Sequence, residues 1–101
     1  MKAIIKQVID KEFAANEIPI VARVDERAWQ GKQVIDYQIK LYIKDSKQVL
    51  TAICHAQRPF NLKITDIIAM EPHRLIRLCD ILQEAVKELE RKSEEGEDQF
   101  R

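Results

Sequence analysis

The chain has 101 residues, 46% apolar and 34% charged, and its 17 basic and 17 acidic side chains give a formal net charge of zero. That size and composition predict one folded domain with a modest core and exclude a global field drawing it to nucleic acid or an anionic membrane. No apolar run reaches the roughly 18 residues of a membrane span, no secretory signal pattern opens the chain, and two cysteines make no disulfide framework, so the expected setting is the reducing cytoplasm, away from membranes.

The first segment, MKAIIKQVIDKEFAANEIP, places Ile5, Val8, Ile9 and Phe13 near one helical face, with Lys6, Lys11 and Glu12 outside it. This predicts an amphipathic helix, ended near Ile18 because Pro19 disfavours helical backbone in the residue before it. Ile18, Ile20, Ala22 and Val24 then alternate with Pro19, Val21, Arg23 and Asp25, a strand whose early proline suits an edge or a strand start. ERAWQGK is expected to turn the chain, with Gly31 free to take positive φ.

From Gln33 to Lys44 the pattern is again period two. Ile35, Tyr37, Ile39, Leu41 and Ile43 form an apolar row, and Asp36, Gln38, Lys40, Tyr42 and Lys44 a polar one. DSK at 45–47 reads as a tight connection into a third strand, QVLTAICHA. Short links cannot join parallel neighbours, so the three strands form an antiparallel meander. FNLKITDIIAM admits two readings: a fourth edge strand over FNLKI, or a short helix through Met70 capped by Thr65. Pro72 suits the first turn of a long helix in which Leu75, Leu78, Leu82, Ala85 and Leu89 recur at steps of three and four, widened by Ile76, Cys79, Ile81 and Val86.

The expected fold is a two-layer α+β domain over residues 1–92: an N-terminal helix, a three- to four-stranded antiparallel meander, and a long C-terminal helix packed on one sheet face. Residues 93–101, SEEGEDQFR, carry much charge and little to bury, and read as an acidic flexible tail.

Chemistry-bearing groups do not converge. Cys54 and His55 are strand neighbours and point to opposite faces, while His73 and Cys79 are six apart on a helix and face away from each other. No pair of helical ligands stands at zinc spacing, and two glycines, Gly31 and Gly96, cannot build a phosphate loop. No catalytic residue, metal ligand or cofactor is expected, and Cys54 and Cys79 read as small core residues.

Surfaces remain. Gly31 to Ile64 holds six basic residues against two acidic, a local +4, whereas Glu84 to Arg101 is at −3, with four against seven. The third strand presents Val49, Thr51, Ile53 and His55 on the row away from Leu50, Ala52 and Cys54, so an apolar patch is expected beside Tyr42. The candidate binding face is therefore Trp29, Lys32, Gln38, Lys40, Tyr42, Lys44, Val49 and Ile53. The candidate dimer helix presents Leu75, Leu78, Leu82 and Leu89.

A helix, three antiparallel strands and a helix resembles the double-stranded-RNA-binding domain in element order, although EPHRLIRL lacks that family's lysine cluster at the last helix. GK and VID at 31–32 and 34–36 are similar to the second-strand region of the single-strand-binding domain of positive cofactor four, with Gln38 where that family has an arginine. The function expected from the residues is a small non-enzymatic protein-interaction module, an accessory factor or inhibitor, homodimeric and binding an unidentified protein through the outer sheet face or the C-terminal helix. The alternative is a single-stranded nucleic-acid binder using the Lys/Tyr face, with lysines on phosphates and aromatics under bases.

Overall fold

The computed structural model describes residues 1–45, 47–57 and 59–95, with the side chains of 93–95 excepted. The chain builds α1 (Lys2–Ala15), β1 (Ile20–Gln30), β2 (Gln33–Ile43), β3 (Lys47–His55), β4 (Asn61–Ile67) and α2 (Pro72–Glu95). The strands form one antiparallel sheet in the order β1-β2-β3-β4, so every pairing joins neighbours in sequence. The expected α+β architecture holds, with four strands: FNLKITDIIAM contributes β4 and no helix. Thr65 lies in that strand, and its hydroxyl donates to Thr51 O at 3.2 Å.

Both helices cover one sheet face. Ile5, Val8, Ile9 and Phe13 of α1 are buried against Ile20, Ala22 and Val24 of β1, and the core continues through Tyr37, Ile39, Leu41, Leu50, Ala52 and Cys54. From α2 it takes Leu78, Ile81, Leu82, Ala85 and Leu89. α1 packs on β1, α2 packs on β4, and the two helices pack on each other. They run antiparallel: Arg77 donates to Asn16 O at 3.2 Å, while Glu88 and Lys92 line a cleft with Gln7, Val8 and Lys11. Burying the apolar stripe of each helix on the apolar row of each strand is the main stabilising term.

Two turns use positive φ where the chain demands it. β1 continues through Gln30, and only Gly31 and Lys32 lie between the paired residues Gln30 and Gln33. Gly31 has φ +61 at the first central position, the conformation of a two-residue hairpin. The expectation that ERAWQGK turns the chain is thus corrected: register shifts around Ala28 absorb the irregular apolar pattern, and the strand carries on. At the end of α1, Glu17 takes φ 57. Its N–H bonds Ala14 O, and the N–H of Ile18 bonds Phe13 O, both at 3.0 Å, closing the helix as a left-handed cap does with glycine.

α2 runs to Glu95, three residues into the segment expected to be a tail. Residues 96–101, the rest of that segment, lie outside the described residues. Among the described residues no helix is long and apolar enough to cross a membrane.

Candidate functional site on the outer sheet face

The register sets out the face that the helices leave uncovered. Arg23 lies opposite Lys40, and Lys40 opposite Thr51, which lies opposite Asp66. The next row runs Asp25, Gln38, Ile53, Lys63, and a third runs Asp36, His55, Asn61. Val21 faces Tyr42, which faces Gln48. Strand alternation therefore brings together Gln38, Lys40, Tyr42 and Ile53, four of the residues expected there.

The others are dispersed. Trp29 and Lys32 belong to the tip of the β1–β2 hairpin, which extends beyond the last β2–β3 pair, Asp36 with His55. Lys44 lies just past the opposite end of β2. The eleven residues of β2 separate Lys32 from Lys44, roughly 35–40 Å of extended chain. Trp29 is 54% exposed and stands near Lys32, far from Tyr42.

Val49 is a correction. It is only 4% exposed and belongs to the core. Leu41 pairs with Leu50 but Tyr42 pairs with Gln48, so Val49 is the extra residue of a bulge and turns inward with Leu50. Leu78, Leu82 and Leu89 are likewise buried in the chain's own core and form no exposed dimer seam. Leu75 alone of that set is half-buried, and Ile76 beside it is 62% exposed.

The face also carries a cluster that no sequence pattern predicted. Asp36 Oδ1 lies 2.5 Å from His55 Nδ1, and Asp36 Oδ2 accepts from Arg27 at 3.3 Å. These residues meet because β2 and β3 pair in a register displaced by the Val49 bulge, and a one-residue slip would have parted them. The signal in the sequence was Asp36 and His55 on the outward rows of adjacent strands; without the bulge, turn geometry alone does not pair them.

Cys54 lies on the opposite face from His55 and is fully buried. Burial, with the charges of Asp36 and Glu90, pushes its thiol from 9.0 up to about 12. It is a protonated core group, poorly suited to nucleophilic attack near neutral pH. Burial and Asp80 also raise the half-buried Cys79. Among the described residues no three His, Cys, Asp or Glu side chains are grouped to hold a metal ion.

The charges of the outer face nearly balance. Arg23, Arg27, Lys40 and Lys63 stand against Asp25, Asp36 and Asp66, with Arg23 paired to Asp25 at 3.1 Å and Arg27 to Asp36 at 3.3 Å. Exposed aliphatic side chains lie at the margins of the fold: Val21, Ile43, Ile67, Ile68 and Ile76. No protein-family profile, curated protein or solved structure matches the chain.

Proposed function

We propose that this chain is a small protein-interaction module acting as a homodimer, without catalytic chemistry of its own. The observation that carries this reading is the set of exposed aliphatics, Val21, Ile43, Ile67, Ile68 and Ile76, on a small domain whose core is already well filled. Large apolar side chains left in water at several margins of so small a domain favour protein contact over a purely solvated surface. The outer face, nearly balanced in charge and with two of its four cations held by its own aspartates, offers a polar rim more readily than an electrostatic track for a phosphate backbone.

One corner supports the second reading, single-stranded nucleic-acid binding. Arg23 and Lys40 stand opposite each other, Tyr42 is next on the same face, and Lys44 lies beyond it. Such a corner suits one or two nucleotides, with a base on Tyr42 and phosphates on the cations.

Fluorescence anisotropy of a labelled single-stranded oligonucleotide at two salt concentrations, with light scattering on the same sample, separates the readings. The interaction module predicts a dimer mass and no salt-dependent binding. Micromolar binding that weakens with salt, and loses about one unit of salt slope in Lys40→Glu, would replace it with the second reading.

A further inference from the structure

The sheet has two free edges, and they are finished differently. On β1, Ala22 turns its backbone outward; its N–H donates to Asp10 Oδ1 at 2.8 Å, and its C=O accepts from Lys6 Nζ at 2.9 Å. Lys6 and Asp10 are paired with each other at 2.5 Å, so one helix turn of α1 occupies the outward donor and acceptor of Ala22 that another strand would use. Register shifts near Ala28 further distort that edge.

On β4, among the described residues, no side chain bonds the outward backbone. The N–H of Ile68 bonds Val49 O, so alternation turns Asp66, Lys63 and Asn61 toward β3 and leaves Leu62 and Ile67 turned outward. Between them Ala52 pairs with Ile64 and Thr51 with Asp66, making Thr65 an extra residue. The bulge makes the edge palindromic. Counting Ile64–Thr65 as one outward position, the order is outward, inward, outward, inward, outward from Leu62 to Ile67.

The side chains obey the same symmetry. Lys63 and Asp66 are both on the outer face, opposite Ile53 and Thr51, and neither has an ion-pair partner among the described residues. Leu62 and Ile67 are both on the inner face, opposite Cys54 and Leu50.

We propose that the β4 edges of two copies join antiparallel about a two-fold axis at Ile64–Thr65, making one eight-stranded sheet. This rests on the homodimer reading above and locates its contact. In that register Leu62 of each copy exchanges backbone hydrogen bonds with Ile67 of the other. Lys63 of each stands at a close, non-hydrogen-bonded position opposite Asp66 of the other, so two ion pairs form by symmetry. The two copies of α2, which packs on β4, then lie on the same face of the joined sheet.

Charge reversal tests the register. In Lys63→Asp both close pairs become acid against acid, and in Asp66→Lys both become base against base. Sedimentation equilibrium should show each variant alone with a dimer dissociation constant raised about tenfold or more. An equimolar mixture of the two variants should recover wild-type dimerisation, because every seam position then faces its opposite, and that recovery also shows that both variants are folded. The double variant Lys63→Asp/Asp66→Lys should dimerise like the wild type. A monomeric wild type would overturn the contact and the homodimer together. A wild-type dimer indifferent to both reversals would overturn the contact and leave the homodimer reading standing on another surface. Binding of an extended peptide along β4 by a monomeric wild type would likewise replace the second copy as the occupant.

Discussion

The two edges of the sheet are built from similar material and reach opposite ends. β1 runs beneath α1, and a lysine and an aspartate one helix turn apart reach over to its backbone. β4 packs on α2, whose Glu90 takes the N–H of Phe60 just ahead of the strand, and among the described residues no α2 side chain bonds the outward backbone of β4 itself. A free edge exposes unpaired donors and acceptors, and proteins control where strands add by covering some of them. Here one edge is closed by an ion pair and the other is left with a self-complementary order of charge and backbone direction.

Removing the cover gives the largest effect on that comparison. Asp10→Ala strips the N–H of Ala22 of its acceptor and leaves Lys6 unpaired. Water reaches Asp10, which is about a third exposed, so the loss should be about 1.5–2 kcal/mol in urea unfolding. Light scattering of the variant should also show assembly beyond the dimer, because both edges then accept a strand. A variant that stays at wild-type mass would show that the bulges, and not the ion pair, keep β1 closed.

A titration sharpens the contrast between the two halves. The inner face on the β4 side holds the Cys54 thiol, whereas that of β1 holds only Ile20, Ala22 and Val24. The folded thiol is raised to about 12 from 9.0, so its contribution is complete below pH 9 and is lost as pH rises toward 12. Stability should fall by about 1 kcal/mol between pH 9 and pH 10. Cys54→Ala should remove that part of the decline. Tyr37, also raised by burial, remains to act at higher pH.

The smallest effect concerns the aim of α1. Glu17 holds φ 57 with a full side chain, where glycine would carry no Cβ penalty. Glu17→Gly should therefore raise the unfolding free energy by about 0.5–1 kcal/mol, after allowance for the looser unfolded chain. A loss of stability would mean that Glu17 makes a contact beyond its backbone role.

Regular segments were legible in the sequence, and register was not. Ile5, Val8, Ile9 and Phe13 marked the buried face of α1 because helical burial has a fixed period. The apolar row of β2 was equally plain at Tyr37, Ile39 and Leu41. Val49, Trp29 and the FNLKITDIIAM segment were harder for one shared reason. Each lies beside a register shift, where an inserted residue reverses the facing of the rest of the strand. Adjacent Ile67 and Ile68 disguise β4 because alternation cannot place both, and the pairing of Asp36 with His55 depends on a bulge further along the same pair of strands. The leucines of α2 were recognised as a stripe packed on the sheet, but the stripe's width was read as room for a second copy where α1 in fact shares in covering it.

The hairpin tip has an optical consequence. The chain has a single tryptophan, and it is already more than half in water in the folded state. Its emission is therefore a poor reporter of global unfolding, since the indole's surroundings change little when the core opens. The same placement makes it a sensitive reporter of anything that settles on the tip. The fluorophore would stay silent while two copies join along β4, at the other edge of the sheet, and respond when a partner covers the end of the β1–β2 arm.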